Sequence, residues 1–205
     1  MIAKLRYVLL TICACSLTLT GIRAASLDEI DGVHNFHQVD AHVYRGAQPH
    51  GAGFDTLAKL GIKTVIDLRG ERSEQAEVER TGMHYVRLAW SGYKAPDDAQ
   101  VAKVLSLMND SSAWPVFVHC RRGADRTGTA IALYRITHDH WSNQQALQEA
   151  KGFGMSSMEV AMQHLIMSFS APQLASAPQV LKAASDAGPS TAASSVAQPV
   201  LQPAP

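Results

Sequence analysis

Cysteine is nearly absent from these 205 residues: three occur, at positions 13, 15 and 120. A disulfide framework is therefore excluded as the source of stability. Net charge is absent too. Eighteen basic residues balance eighteen acidic ones, which gives no support to general nucleic-acid or polyanion binding. No apolar run reaches the roughly 20 residues of a membrane-spanning helix. Nine histidines occur, but no H-E-x-x-H or paired-cysteine pattern accompanies His34, His37, His42 or the "HDH" of His138–His140. They read as solvated surface histidines, and no metal is expected. The last 35 residues, Ala171 to Pro205, lack aromatics and any sustained periodicity. Dominated by Ala, Pro, Ser and Gln, they read as a disordered tail. No internal repeat is found.

What is present begins with "MIAKLRYVLLTICACSLTLTGIRAAS". Lys4 and Arg6 give a basic start, Tyr7 to Thr20 is largely apolar, and Ala24 and Ala25 are small residues suited to cleavage. This reads as a secretory signal over 1–25 and a periplasmic or secreted destination, without stable membrane insertion. An uncleaved anchor, or lipid attachment at Cys15, are the alternatives. A cleaved chain would keep only Cys120. An exported protein usually spends cysteines in pairs, so a solitary one points to reactivity, although a small buried hydrophobe is the plainer reading.

Between signal and tail, residues 26–170 make one domain-sized core. Its pattern alternates. "HVYRGAQP" (His42–Pro49), "IKTVIDL" (Ile62–Leu68), "MHYVRLAW" and "WPVFVH" read as strands. "FDTLAKLG", "SEQAEVERTG", "PDDAQVAKVLSLMND", "TGTAIALYRITHD", "SNQQALQEAKG" and "SSMEVAMQHLIMSF" read as helices, two of them stopped by Gly61 and Gly82. The order predicts an α/β fold: a central, mostly parallel sheet flanked by helices.

"HCRRGADRTG", His119–Gly128, then falls between a central strand and a helix. Ligands gather at the carboxyl ends of strands in open α/β sheets. A loop that feeds a helix N-terminus offers N–H groups and the positive end of a dipole, so the expected guest is an anion. Gly123 and Gly128 let the backbone curl closely. Arg126 brings a guanidinium that can hold two phosphate oxygens. Surrounding positive charge favours the thiolate of a cysteine placed there. Together these make a nucleophile beneath a cradle for a tetrahedral dianion, the equipment for taking a phosphoryl group onto sulfur. A nucleotide-binding loop is excluded because Thr129 stands where its lysine must be. The five-residue spacing from Cys120 to Arg126 and the Arg-Thr-Gly ending argue against a sulfurtransferase.

That spacing, with the preceding histidine, the internal glycine and the hydroxyl after arginine, resembles the signature of the cysteine-dependent phosphatases, in their tyrosine/dual-specificity branch. "YRGAQP", "GIKTVIDLRGE" and "YRITHDHWSNQQALQEAKGFG" resemble the small bacterial, fungal and plant dual-specificity-like members. The likeness spans about residues 34–169. It implies Cys120 as nucleophile, Arg126 as the clamp on phosphoryl oxygens, and N–H donors from Arg121, Arg122, Gly123, Ala124 and onward to Arg126. It also implies Thr127 as a hydroxyl near the thiolate and His119 as a loop-orienting residue. No cofactor is implied.

The general acid is less plainly marked. Asp97 and Asp98 are the only carboxylates in "LAWSGYKAPDDAQV", and helix capping explains them equally well. Asp125 lies inside the loop, and the "DRTG" ending resembles exported phosphatases in which the loop aspartate is implicated as acid. Asp125 is the first candidate and Asp97 the second; bracing of the loop is the alternative role for Asp125. The substrate expected is a phosphorylated protein, with a phosphoinositide or inositol phosphate as alternative. Arg121 and Arg122 suit a guest with more than one phosphate. A catalytically weak phosphate-binding module is the non-enzyme alternative.

Overall fold

The computed structural model describes residues 29–170; the signal expected over 1–25 and the tail expected over 171–205 lie outside them. Strands whose two faces are both covered should be apolar throughout rather than alternating. Strand β7 (Val116–Cys120) and strand β5 (Thr64–Asp67) are buried at every position, and they pair in parallel at the centre of the sheet. Strand β4 (Val43–Ala47) runs parallel to β7 on the other side. Strand β6 (His84–Arg87) runs parallel to β5 at one edge. The sheet has five strands, ordered β3-β4-β7-β5-β6.

The predicted mostly parallel sheet is present, with one antiparallel edge. That edge is β3 (His37–Gln38), paired with β4. Upstream, β1 (Glu29–Ile30) and β2 (Val33–His34) form a separate antiparallel pair. Each of the three has two residues, too few for a period to show in a sequence.

Helices cover both faces. Helix α1 (Gly53–Lys59) and helix α2 (Gln75–Glu79) are short, and each is followed by a glycine in the left-handed region, Gly61 and Gly82, as helix ends favour. Helix α3 (Asp98–Met108) starts on a capping box between Asp97 and Gln100. Helix α4 (Asp125–His138) is buried from Arg126 to Tyr134 and carries no single apolar stripe, as expected for a helix wrapped on several sides. Helix α5 (Asn143–Gly152) starts on a second capping box, Ser142 with Gln145. Helix α6 (Val160–Ser168) begins four residues inside the predicted span.

Period-two alternation along β7 divides the core. Val116, Val118 and Cys120 face the layer of α3 and α4, with Val104, Met108, Ile131 and Leu133. Phe117 faces the opposite layer, with Phe36, Phe54, Leu57 and Val65. His119 shares the Phe117 side, the two rings stacking at 5.6 Å. The consecutive residues His119 and Cys120 therefore serve different faces of the sheet.

Candidate active site

Strand β7 ends on Cys120, and α4 begins five residues later at Asp125. The N–H groups of a helix's first turn have no intrahelical partners, so α4 opens this end of the sheet to an anion. A pocket of about 290 Å³ lies there. Cys120, Arg121, Arg122, Asp125 and Arg126 line it, with Glu71, Gly92, Tyr93 and Glu159 around them. Cys120 is a free thiol, only 2% exposed. Arg126 is buried on the first turn of α4, its Nη1 3.7 Å from Glu71 Oε2. Arg121 and Arg122 are exposed.

The loop is tight because Gly123 adopts φ +68°, where a Cβ would come within 2.5 Å of the Gly46 carbonyl carbon. No side chain fits there, which explains the internal glycine. Ala124 is the N-cap of α4, without a side-chain cap. Thr127 is fully buried, and its hydroxyl has no hydrogen-bond partner among the described residues.

Asp125 lines the pocket with its carboxylate 14% exposed. Oδ1 accepts the Ser156 N–H at 2.8 Å, and Oδ2 accepts from Arg122 Nη2 at 2.6 Å. The second candidate, Asp97, does not line the pocket. Its carboxylate accepts the Gln100 N–H at 2.8 Å while Gln100 Oε1 accepts the Asp97 N–H. The capping reading of Asp97 is the one its contacts display.

Beneath the loop lies a buried polar group on the far face. His119 Nε2 is 3.5 Å from Glu74 Oε2 and 3.9 Å from Asp67 Oδ1. Arg69 holds both oxygens of Asp67 and pairs with Glu74 at 2.7 Å. Burial lowers the His119 pKa to about 4. Burial, with help from the Asp67 carboxylate, raises Glu74 to about 7, against the pull of Arg69 and the Gln48 hydrogen bond. Asp67, Glu74 and His119 lie close enough to share a metal ion. The Arg69 guanidinium already occupies their carboxylates, which leaves the set poorly suited to a cation. His119 is thus a core histidine, unlike the surface reading given to the others. Among those, His42 stacks on Trp114 at 4.0 Å and His138 on Tyr134 at 4.7 Å.

Several side chains at the site were given no role from the sequence. Glu71 and Tyr93 edge the pocket, and Tyr93 is 90% exposed. Arg87 donates to the backbone carbonyls of Arg69, Gly70 and Glu71 and so fixes the segment bearing Glu71. Asn35 and Arg45 hold the loop from behind. Arg45 and Glu71 had a signal, as the arginine of "YRGAQP" and the last residue of "GIKTVIDLRGE".

Comparison with known proteins agrees with this geometry. The chain is 32% identical over 128 residues to the dual specificity protein phosphatase TpbA of Pseudomonas aeruginosa, covering 61% of this chain and 58% of TpbA. It is 26% identical over 146 residues to the inositol diphosphatase SIW14 of Saccharomyces cerevisiae, covering 67% of this chain and 52% of SIW14. The chain thus spans just over half the length of these relatives. Among solved structures, P. aeruginosa TpbA superposes with a TM-score of 0.62 at 26% identity, over 71% of this chain and 91% of that one. TpbA in complex with pTyr gives 0.60 at 27%, over 68% and 87%. A family model described as "DSP-PTPase phosphatase fused to NAD+ Kinase" matches residues 23–167. With the Cys120–Arg126 loop in the expected strand-to-helix turn, the chain belongs to this DSP-PTPase family.

Proposed function

We propose that the protein is a metal-independent phosphomonoesterase of the tyrosine/dual-specificity type, working through a phosphocysteine. One observation carries this reading: Cys120 lies at a strand end inside a pocket with Arg126 and the start of α4. The Cys120 thiolate attacks phosphorus and the ester P–O bond breaks. Arg126 and the loop amides hold the three phosphoryl oxygens. Asp125 gives its proton to the leaving oxygen; a water, deprotonated by the same carboxylate, then releases phosphate and restores the thiolate. An incoming dianion competes for Arg122, whose side chain is 62% exposed, and so frees Asp125 Oδ2 to carry that proton. Thr127 and His119 take the supporting roles their positions suit: a buried hydroxyl one residue after Arg126, and a buried ring one residue before Cys120.

A phosphorylated tyrosine side chain is the preferred substrate, because TpbA has been crystallised with pTyr and is a dual specificity protein phosphatase. A second reading, an inositol phosphate, is favoured by the exposed Arg121 and Arg122 beside the pocket and by the likeness to an inositol diphosphatase. The protein acts after export, its signal cleaved near Ala24–Ser26. Among the described residues no helix is long and apolar enough to cross a membrane. Mass spectrometry of the periplasmic fraction reads the mature N-terminus; an intact chain in the membrane pellet would replace the cleaved signal by an anchor.

Cys120→Ser tests the mechanism. Turnover is expected to vanish while vanadate still binds, since amides and Arg126 do the binding. Substantial turnover by this variant would rule out covalent catalysis. Rates of the native enzyme on phosphotyrosine peptide, phosphoserine peptide, phosphoinositide and inositol polyphosphate then decide the substrate class.

A further inference from the structure

The stretch from Arg121 to Ala124 has no regular secondary structure, so its peptide planes must be set from outside. In a trans peptide the carbonyl of one residue and the N–H of the next point in opposite directions. Three successive carbonyls of this loop are held by neighbours. The Gln48 N–H donates to Arg121 O at 3.4 Å. Asn35 Nδ2 donates to Arg122 O at 3.2 Å and Gly123 O at 3.1 Å, and also to Phe153 O at 3.1 Å. Arg45 Nη2 donates to Gly123 O at 2.7 Å. None of these three donor residues lines the catalytic pocket. The carbonyls are therefore drawn to the outer side of the loop, and the amides that follow them face the other way.

Arg45 is an expensive choice for this task. It lies in β4 with no exposed surface, its guanidinium 4.0 Å above the Phe153 ring. Its Nε and Nη1 have no hydrogen-bond partner among the described residues. A sequence shaped for stability alone would place an apolar side chain here. Burial lowers the Arg45 pKa to about 10, and Glu149 is the main anion that supports its charge. The guanidinium therefore remains a cation at neutral pH, within the field of the nucleophile.

We propose that Asn35 and Arg45 are positioning residues of the anion cradle: by holding the Arg122 and Gly123 carbonyls outward they aim the Gly123 and Ala124 amides at the bound phosphoryl group, while Arg45 adds a fixed positive charge behind the loop. The proposal rests on reading the pocket as a phosphoryl site, and it explains the arginine of "YRGAQP", which no catalytic role had absorbed.

The test is a titration of the ¹⁵N-labelled full chain with inorganic phosphate, alongside steady-state kinetics, for the wild type, Asn35→Ala, Arg45→Gln and Arg45→Lys. In the wild type the Gly123 and Ala124 amide resonances should move with phosphate. In Asn35→Ala and Arg45→Gln those shifts should shrink, and kcat should fall on the order of 10²-fold, the cost of a misdirected oxyanion donor, with a smaller change in KM. Arg45→Lys keeps the charge and one donor, so it should recover part of the loss. Asn35 is only partly buried, so its variant carries the test if Arg45→Gln fails to fold. Variants that lose thermal stability yet bind phosphate with wild-type amide shifts and wild-type kcat would overturn the positioning role alone. A wild-type protein whose loop amides ignore phosphate would overturn the phosphoryl-site reading with it.

Discussion

At the scale of single residues, the site separates two tasks that fall to neighbours in sequence. Cys120 faces the pocket, whereas His119 faces the buried group of Asp67, Arg69 and Glu74. Burial holds the folded-state pKa of His119 near 4 and that of Glu74 near 7. The histidine contribution to stability is lost as pH falls from about 6.5 to 4, because the unfolded chain takes a proton the folded one refuses. The glutamate contribution is lost as pH rises from about 4.5 to 7, because the folded chain then keeps a proton the unfolded one has released. The two slopes oppose each other. Glu74→Gln should therefore gain stability relative to wild type as pH rises through that window, by about 3 kcal/mol at 1.36 kcal/mol per pKa unit. Urea unfolding at several pH values measures it; a difference that does not vary with pH would mean that Glu74 titrates normally. Asp125→Asn addresses the proton donor. Alkyl phosphates with poor leaving groups should slow on the order of 10²–10⁴-fold, and activated aryl phosphates hardly at all. A uniform loss together with weaker vanadate binding would leave Asp125 as a brace only, consistent with its bonds to Ser156 and Arg122.

At the scale of elements, glycines with the same backbone sign have different consequences. Gly61, Gly82 and Gly123 all have positive φ. A Cβ at Gly61 or Gly82 meets nothing within 4 Å, whereas at Gly123 it enters the β4 backbone. Gly82→Ala should cost about 1–2 kcal/mol from backbone conformation alone and spare activity. Gly123→Ala should cost more and also weaken phosphate binding. Thermal unfolding and phosphate titration of the two variants separate the effects. Capping is the second case. Asp97→Ala should lose about 1 kcal/mol while Asp97→Asn stays near wild type, both with unchanged kinetics; a leaving-group-dependent defect at Asp97 would return it to catalysis. Elements of four or more residues were legible because burial marks them with a period or a continuous apolar run. The strands of β1 to β3 were not, since two residues carry no period.

At the scale of the whole molecule, residues 26–170 should be sufficient. The described core is a sheet covered on both faces, and the family match ends at residue 167. Expressed alone, this segment should keep the melting temperature and kcat/KM of the longer chain. A large loss in either would give the tail a structural role. Chelation tests the buried acidic group at the same scale. EDTA should leave activity unchanged, because the Arg69 guanidinium already pairs with both Asp67 and Glu74. Loss of activity restored by a divalent cation would place a metal at Asp67, Glu74 and His119.

The sequence by itself determined the candidates for nucleophile and clamp, and their setting. Cys120, Arg126 and the glycine between them are local in the chain. The turn from an apolar strand into a helix is likewise written in neighbouring residues, so spacing suffices to recognise it. Only the tertiary structure decided what surrounds them. Asn35 and Arg45 reach the loop across 78 to 88 positions, and Asp67, Arg69 and Glu74 meet His119 only because β5 pairs beside β7. Asp97 and Asp125 look alike in the sequence as acids near a helix start; the fold placed one in the pocket and the other on a cap. Contacts between distant segments depend on strand order and packing, and these follow from the burial of the whole chain rather than from any local pattern.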